Sequence, residues 1–304
     1  MSELDEHELH HDDTDSDCIE LVIESRPRDL GGFSVRRTLP SPRRRLVGPF
    51  IFFDHMGPVE FPVGQGFDVR PHPHIALATI TYLFDGEFVH RDSVGSIQTI
   101  CAGDVNWMVA GSGIAHSERT SPEVRARGGH MHGLQTWVAL PTKNEDMPPH
   151  FEHHPAATIP VVTQPGVELR IIAGTAYGKT APTGVCSPTL YVHATLDAGA
   201  TLHVDEEHEQ RAVYIVDGEV GIYERAFAAG TMVILKPGAH VDVRASAATN
   251  LVLIGGARLD GPRHIWWNFV SSSQERIDHA KADWKNGKFA KVAGDDVEFI
   301  PLPE

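Results

Sequence analysis

From Ile19 onward the hydrophobic positions fall in short runs, broken every ten or so residues by Gly, Pro or Asp-Gly. That punctuation is the signature of an all-β chain. Thr79-Ile80-Thr81-Tyr82-Leu83-Phe84 predicts a strand, Asp85-Gly86 a hairpin turn, and Glu87-Phe88-Val89 the returning strand. Helical periodicity sets in only near the end. There Ser272-x-x-Glu275 predicts a capping box ahead of Ile277, Ala280, Lys281 and Trp284, and Asn286-Gly287 predicts the stop. Residues 1–17 hold eight acids, no Lys or Arg and almost no apolar side chain, which predicts a disordered acidic leader.

A faint repeat decides the architecture. Tyr82-Leu83-Phe84-Asp85-Gly86-Glu87 returns as Tyr214-Ile215-Val216-Asp217-Gly218-Glu219. Each copy continues through an Ala-Gly pair (Ala102-Gly103, Ala229-Gly230) and an apolar strand to a Gly-containing turn and a histidine, His116 or His240. Two tandem copies of one small antiparallel β-barrel fit both the repeat and the length. The break falls in the Pro-rich stretch 141–165, giving an N-terminal barrel over 18–145 and a C-terminal barrel with the short helix over 146–304.

Charge then narrows the partners. The formal net charge is −15, of which −7 belongs to the chain beyond the leader. An acidic body argues against direct nucleic-acid binding, which needs clustered cations. The stretch holding Arg26, Arg28, Arg36, Arg37, Arg43, Arg44 and Arg45 reads as solvated arginines flanking strands. No run approaches the roughly 18 apolar residues of a membrane span. Three scattered cysteines supply neither a disulfide framework nor a thiolate metal site, so a cytoplasmic protein with reduced thiols is expected.

The chemistry lies in the histidines. Residues i and i+2 of a strand share a face, so His72 and His74 direct two imidazoles to one point inside the first barrel. His116 and Glu118, after the turn Gly111-Ser112-Gly113, add an imidazole and a carboxylate in the same way. Three imidazoles and one carboxylate suit one divalent first-row transition metal: iron, nickel, copper, manganese or zinc. In the second copy Asp205 and Glu207 stand where His72 and His74 stand in the first, leaving His240 alone, which predicts a metal-free barrel. His90 is left open between the pocket and a solvated turn. His130 and His132 are expected in packing or pocket lining, His55 in a hydrogen bond to Asp54, and Cys101 buried.

These motifs resemble those of a known family. Gly66-x5-His72-x-His74-x4-Thr79-x6-Gly86 is similar to the first cupin motif, and Gly103 through His116 to a variant of the second. Arg70-Pro71-His72-Pro73-His74, Ala110-Gly111-Ser112-Gly113-Ile114-Ala115-His116-Ser117-Glu118 and His132-Gly133-Leu134-Gln135-Thr136-Trp137-Val138 resemble the pirin family specifically, as does Arg263-His264-Ile265-Trp266-Trp267-Asn268-Phe269-Val270-Ser271. The likeness implies a bicupin fold with one iron, Fe(II), in the N-terminal barrel, held by His72, His74, His116 and Glu118. It departs at Ala78 and Thr79, which stand where the first cupin motif carries an acid.

Two functions follow from the resemblance. One is quercetin 2,3-dioxygenase activity: Glu118 takes the proton of a flavonol 3-hydroxyl, dioxygen adds, and the ring opens with release of carbon monoxide. The other is a non-enzymatic iron-binding regulatory protein whose partner is a transcription factor or a metabolic enzyme. An open apolar pocket over the metal would favour the first, and a closed site the second.

Overall fold

A computed structural model of the protein describes residues 18–29 and 33–303. The acidic leader expected over 1–17 lies outside these residues. The remainder is mostly β and forms the two tandem barrels of a bicupin, with a short C-terminal helix. Among the described residues no helix is long and apolar enough to cross a membrane.

Each barrel turns one face of its large sheet toward the other barrel. Along the strand Leu77–Asp92, Ala78, Ile80 and Tyr82 enter a core shared with Tyr191, Tyr214, Val252 and Ile254 of the second copy. The alternate positions of the second copy (Leu190, Val192, Ala194, Val213, Ile215, Leu251, Leu253) fill that barrel's own interior. Strands buried on both faces lose the apolar–polar alternation of a half-exposed sheet.

Asp85-Gly86 makes no hairpin turn. Leu77–Asp92 is one continuous strand of 16 residues, pairing first with Gly129–Ala139 and Val105–Val109, then with Ile97–Cys101 and Ile114–Arg119. At the crossing the register skips Phe84, with Gly133 opposite Leu83 and His132 opposite Asp85, and Gly86 takes a φ of 86°. A Cβ on Gly86 would stand 2.2 Å from the His130 carbonyl oxygen, so only glycine fits. The extra residue reverses the alternation: Leu83 before it and Phe88 after it enter the same core cluster. The second copy repeats the device, with a register shift between Ile215 and Asp217 and a φ of 78° at Gly218.

Strands cross the sequence division at 145/146 in both directions. Ile19–Glu24 pairs with Thr231–Leu235 of the second barrel, and His150–His154 pairs with Val105–Val109 of the first. The C-terminal segment also returns to the first barrel. Glu145, almost wholly buried, forms an ion pair with Arg263 at 2.9 Å and accepts hydrogen bonds from the Ser271 hydroxyl and the Ser272 amide. The helix runs Gln274–Lys285, with Ile277 and Ala280 buried. Its cap is Ser273, whose hydroxyl accepts from the Arg276 amide, so the N-cap lies one residue beyond Ser272 and the expected Ser272–Glu275 box is not made. Ser272 is committed to Glu145 instead.

Candidate metal centre

The strand Asp68–His74 lies antiparallel to Ile114–Arg119, with His72 opposite His116. Leu77–Asp92 flanks the latter strand on its other side, with His90 opposite Glu118. Because the bulge reverses the alternation, His90 points inward and is 3% exposed, which places it on the pocket side rather than in a solvated turn. His72, His74, His116 and Glu118 are buried as well.

The structure brings the four expected ligands together in two overlapping groups. The ligand atoms of His72, His74 and His116 lie within 4.8 Å of one another, and so do those of His90, His116 and Glu118. The arginine at position 70 holds His72 by accepting from Nδ1 at its backbone carbonyl, 2.9 Å away, and the Asn268 carbonyl accepts from Nδ1 of His74 at 3.1 Å. A carbonyl can only accept, so both rings carry the proton on Nδ1 and leave the Nε2 lone pair free. Nε2 of His74 faces Nε2 of His116 at 3.1 Å. Nδ1 of His116 and Oε1 of Glu118 are buried without a hydrogen-bond partner.

Burial dominates the electrostatics. It lowers the pKa of His72 to about 4 and holds His74 and His116 well below 6.5, so all three are neutral at pH 7. Burial also raises the Glu118 pKa to about 7, with Thr81 pulling the other way. Around the group, Trp137 meets the His74 ring edge-on at 5.0 Å and stacks on Phe52 at 4.0 Å. His90 stacks on Phe151 and is held by Asp92, 3.0 Å from its Nε2.

The centre is closed. Phe269 pairs with Ile75 beside His74, Asn268 supplies the carbonyl to His74, and the Ile300 amide donates to the Pro71 carbonyl at 2.8 Å. The C-terminal segment thus covers the barrel from which the histidines project. That cover carries no signal in local sequence pattern, because it is made by residues some two hundred positions downstream.

Of the other expectations, packing for His132 and solvent for most of the arginines hold, and the rest are corrected. His130 is exposed and faces Asp85 at 2.8 Å, away from the buried histidine group. His132 lies between the barrels, with its Nε2 2.7 Å from that of His55. His55 faces the Tyr214 hydroxyl through Nδ1, and Asp54 binds Arg37 through two hydrogen bonds of 2.8 Å, so the expected His55–Asp54 bond is absent. The side-chain demands of the barrel interface outcompete the sequence neighbour. Cys101 is exposed rather than buried. Of the arginines, Arg26, Arg28, Arg43 and Arg45 are exposed, while Arg36 and Arg37 are tied to His55 and Asp54.

In the second barrel the corresponding space holds Arg211, fully buried, with its guanidinium donating to the carbonyls of Asp205, Lys236 and Ala239 at 2.9–3.2 Å. Asp205 accepts from the Glu207 amide, Glu207 is exposed, and His240 projects into solvent.

Two family models match the chain: residues 32–138 match pirin, and residues 191–290 match the pirin C-terminal cupin domain. The chain is 49% identical to a pirin-like protein of Caulobacter vibrioides, over 94% of this chain and 100% of that one. It is 31% identical to Pirin-1 of Arabidopsis thaliana, over 89% and 93% of the two chains. The crystal structure of quercetin 2,3-dioxygenase from Acinetobacter baumannii superposes with a TM-score of 0.87 at 32% identity, covering 93% of this chain and 95% of that one.

Proposed function

The chain belongs to the pirin family, and we propose that it is a metal-dependent dioxygenase that opens the ring of a flavonol such as quercetin. The observation that carries this reading is the buried grouping of His72, His74 and His116, with His116 shared by a second buried group that brings in the unpartnered Glu118 oxygen. The residues fit a divalent transition ion. Neutral imidazole nitrogens and a carboxylate are its preferred donors. Nε2 of His74 and Nε2 of His116, 3.1 Å apart, would serve as two of its donors. His72, His74, His116 and Glu118 would hold it, and we assign iron(II), with nickel, copper, manganese and zinc as the alternatives.

Bound there, the ion supplies Lewis acidity toward the flavonol 3-hydroxyl and the redox chemistry for dioxygen. The chain's own residues do the rest. The Arg70 and Asn268 carbonyls fix the tautomers of His72 and His74, and thereby the direction of their lone pairs. Glu118 takes the hydroxyl proton on a carboxylate oxygen, beside the group it helps to form with His116. Phe52, Trp137 and Phe151 keep water from the group. Oxygen uptake by the metal-loaded protein with a panel of flavonols tests the reading.

One observation favours a second reading. The C-terminal cover over His74 and Pro71 leaves the centre closed, as befits a redox-sensitive structural iron in a regulatory protein that binds a transcription factor or a metabolic enzyme. The enzyme reading requires the segment 264–300 to move when a three-ring substrate enters. Ring opening by the full chain decides for the enzyme, and its absence at full metal occupancy decides for the regulatory protein.

A further inference from the structure

We propose that His203, Glu206 and His240 form a second site, on the outer rim of the C-terminal barrel, for one borderline divalent transition ion such as zinc. The site is separate from the buried centre and from Arg211, which is buried inside its own barrel.

Strand pairing builds it. His203 lies on Thr201–Val204, which pairs with Val241–Ala245 so that His203 stands opposite Asp242 and Val204 opposite Val241. His240 immediately precedes that second strand, and the two imidazole centroids come within 6.3 Å. Glu206, in the turn that follows Val204, reaches back between them: its Oε1 contacts Nδ1 of His240 and lies 4.0 Å from Nε2 of His203. One donor atom from each residue falls within 4.8 Å of the other two.

The outer contacts aim these donors. Oδ1 of Asp242 lies 2.9 Å from Nδ1 of His203. A carboxylate acceptor there places the ring proton on Nδ1 and turns the Nε2 lone pair toward Glu206, the carboxylate–histidine–metal arrangement that orients a ligand and raises its basicity. Asp205, Glu207 and Glu209 surround the same turn. Two imidazoles and a carboxylate select a transition ion over magnesium or calcium. The side chains of His203 and His240 are 56% and 82% exposed, so the remaining coordination positions belong to water. Such an ion ties the edge strand Thr201–Val204 to the start of its neighbour.

Isothermal titration of zinc(II) into the full-length protein, with its buried centre already filled, tests the proposal. One further equivalent per chain is expected. His203→Ala with His240→Ala should abolish it, and Asp242→Asn should weaken it about 10–100-fold. All three side chains are on the surface, and melting temperatures without added zinc should match wild type. A chain lacking residues 1–17, and with them His7, His10 and His11, should still take up the second equivalent. No second equivalent, one that survives the double substitution, or one that disappears with residues 1–17 would overturn the proposal.

Discussion

Nε2 of His74 and Nε2 of His116 face one another across 3.1 Å inside the N-terminal barrel, on rings that are both 1% exposed. Desolvation keeps each ring neutral, so His116 donates from Nε2 to the Nε2 lone pair of His74 and the pair carries no charge. His74→Ala and His116→Ala should each lose the buried metal. Elemental analysis after dialysis against a mild chelator, which strips exposed ions, should give one equivalent for wild type and far less for either variant. Undiminished metal in a folded His74→Ala protein would remove that residue from the ligand set.

Glu145 and Arg263 make the buried contact that fastens the C-terminal cover to the first barrel. Removing Glu145 leaves Arg263 with Asp260 at 2.6 Å but strands the buried Ser271 hydroxyl and the Ser272 amide, at about 1–3 kcal/mol for each buried group left unpaired. Glu145→Ala should therefore lower the urea midpoint strongly. It should also release the segment after residue 263, read as faster proteolysis there than in wild type. A midpoint within experimental error of wild type would show that the cover is held elsewhere.

Buried His193 at the barrel interface should contribute to a loss of stability in acid. Nε2–H of His193 donates to Oδ1 of Asn250, whose own amide donates to Asp217, and Nδ1 of His193 accepts from the Tyr82 hydroxyl. Burial lowers the His193 pKa to about 4, against 6.5 in an unfolded chain. Between these values the unfolded state binds more protons than the folded state. The contribution is thus intact above pH 6.5 and is lost as pH falls toward 4. Urea unfolding across this window should show declining stability in wild type and a shallower decline in His193→Gln. An identical slope in the two proteins would assign the acid sensitivity to other groups.

The paired side chains were legible because a period of two is local: His72 with His74 and His116 with Glu118 need only a strand to share a face. His90 was not. Its direction depends on whether Asp85-Gly86 turns the chain back or carries it through a bulge, and the dipeptide alone reads as a hairpin. The repeat around Gly218 announced the two barrels. The exchange of Ile19–Glu24 into the second barrel and the return of residues 264–303 to the first involve partners far apart in sequence, which periodicity does not record. The displaced cap has a similar origin, since Ser272 serves the distant Glu145.

In the proposed reaction the proton acceptor is Glu118. Glu118→Gln keeps an oxygen donor but loses the basicity needed to take the flavonol proton. Compared at equal metal occupancy, turnover should fall about 10²–10⁴-fold, whereas His116→Ala should lose metal and turnover together. Near-wild-type turnover in metal-filled Glu118→Gln would pass the proton to another group.

The most direct measurement is gas exchange by the full-length, iron-loaded protein mixed with quercetin: dioxygen consumed and carbon monoxide released, followed together. The account predicts equimolar uptake and release that stops when the iron is chelated. A protein with its buried centre full that consumes no dioxygen and releases no carbon monoxide with quercetin or any other flavonol would contradict it.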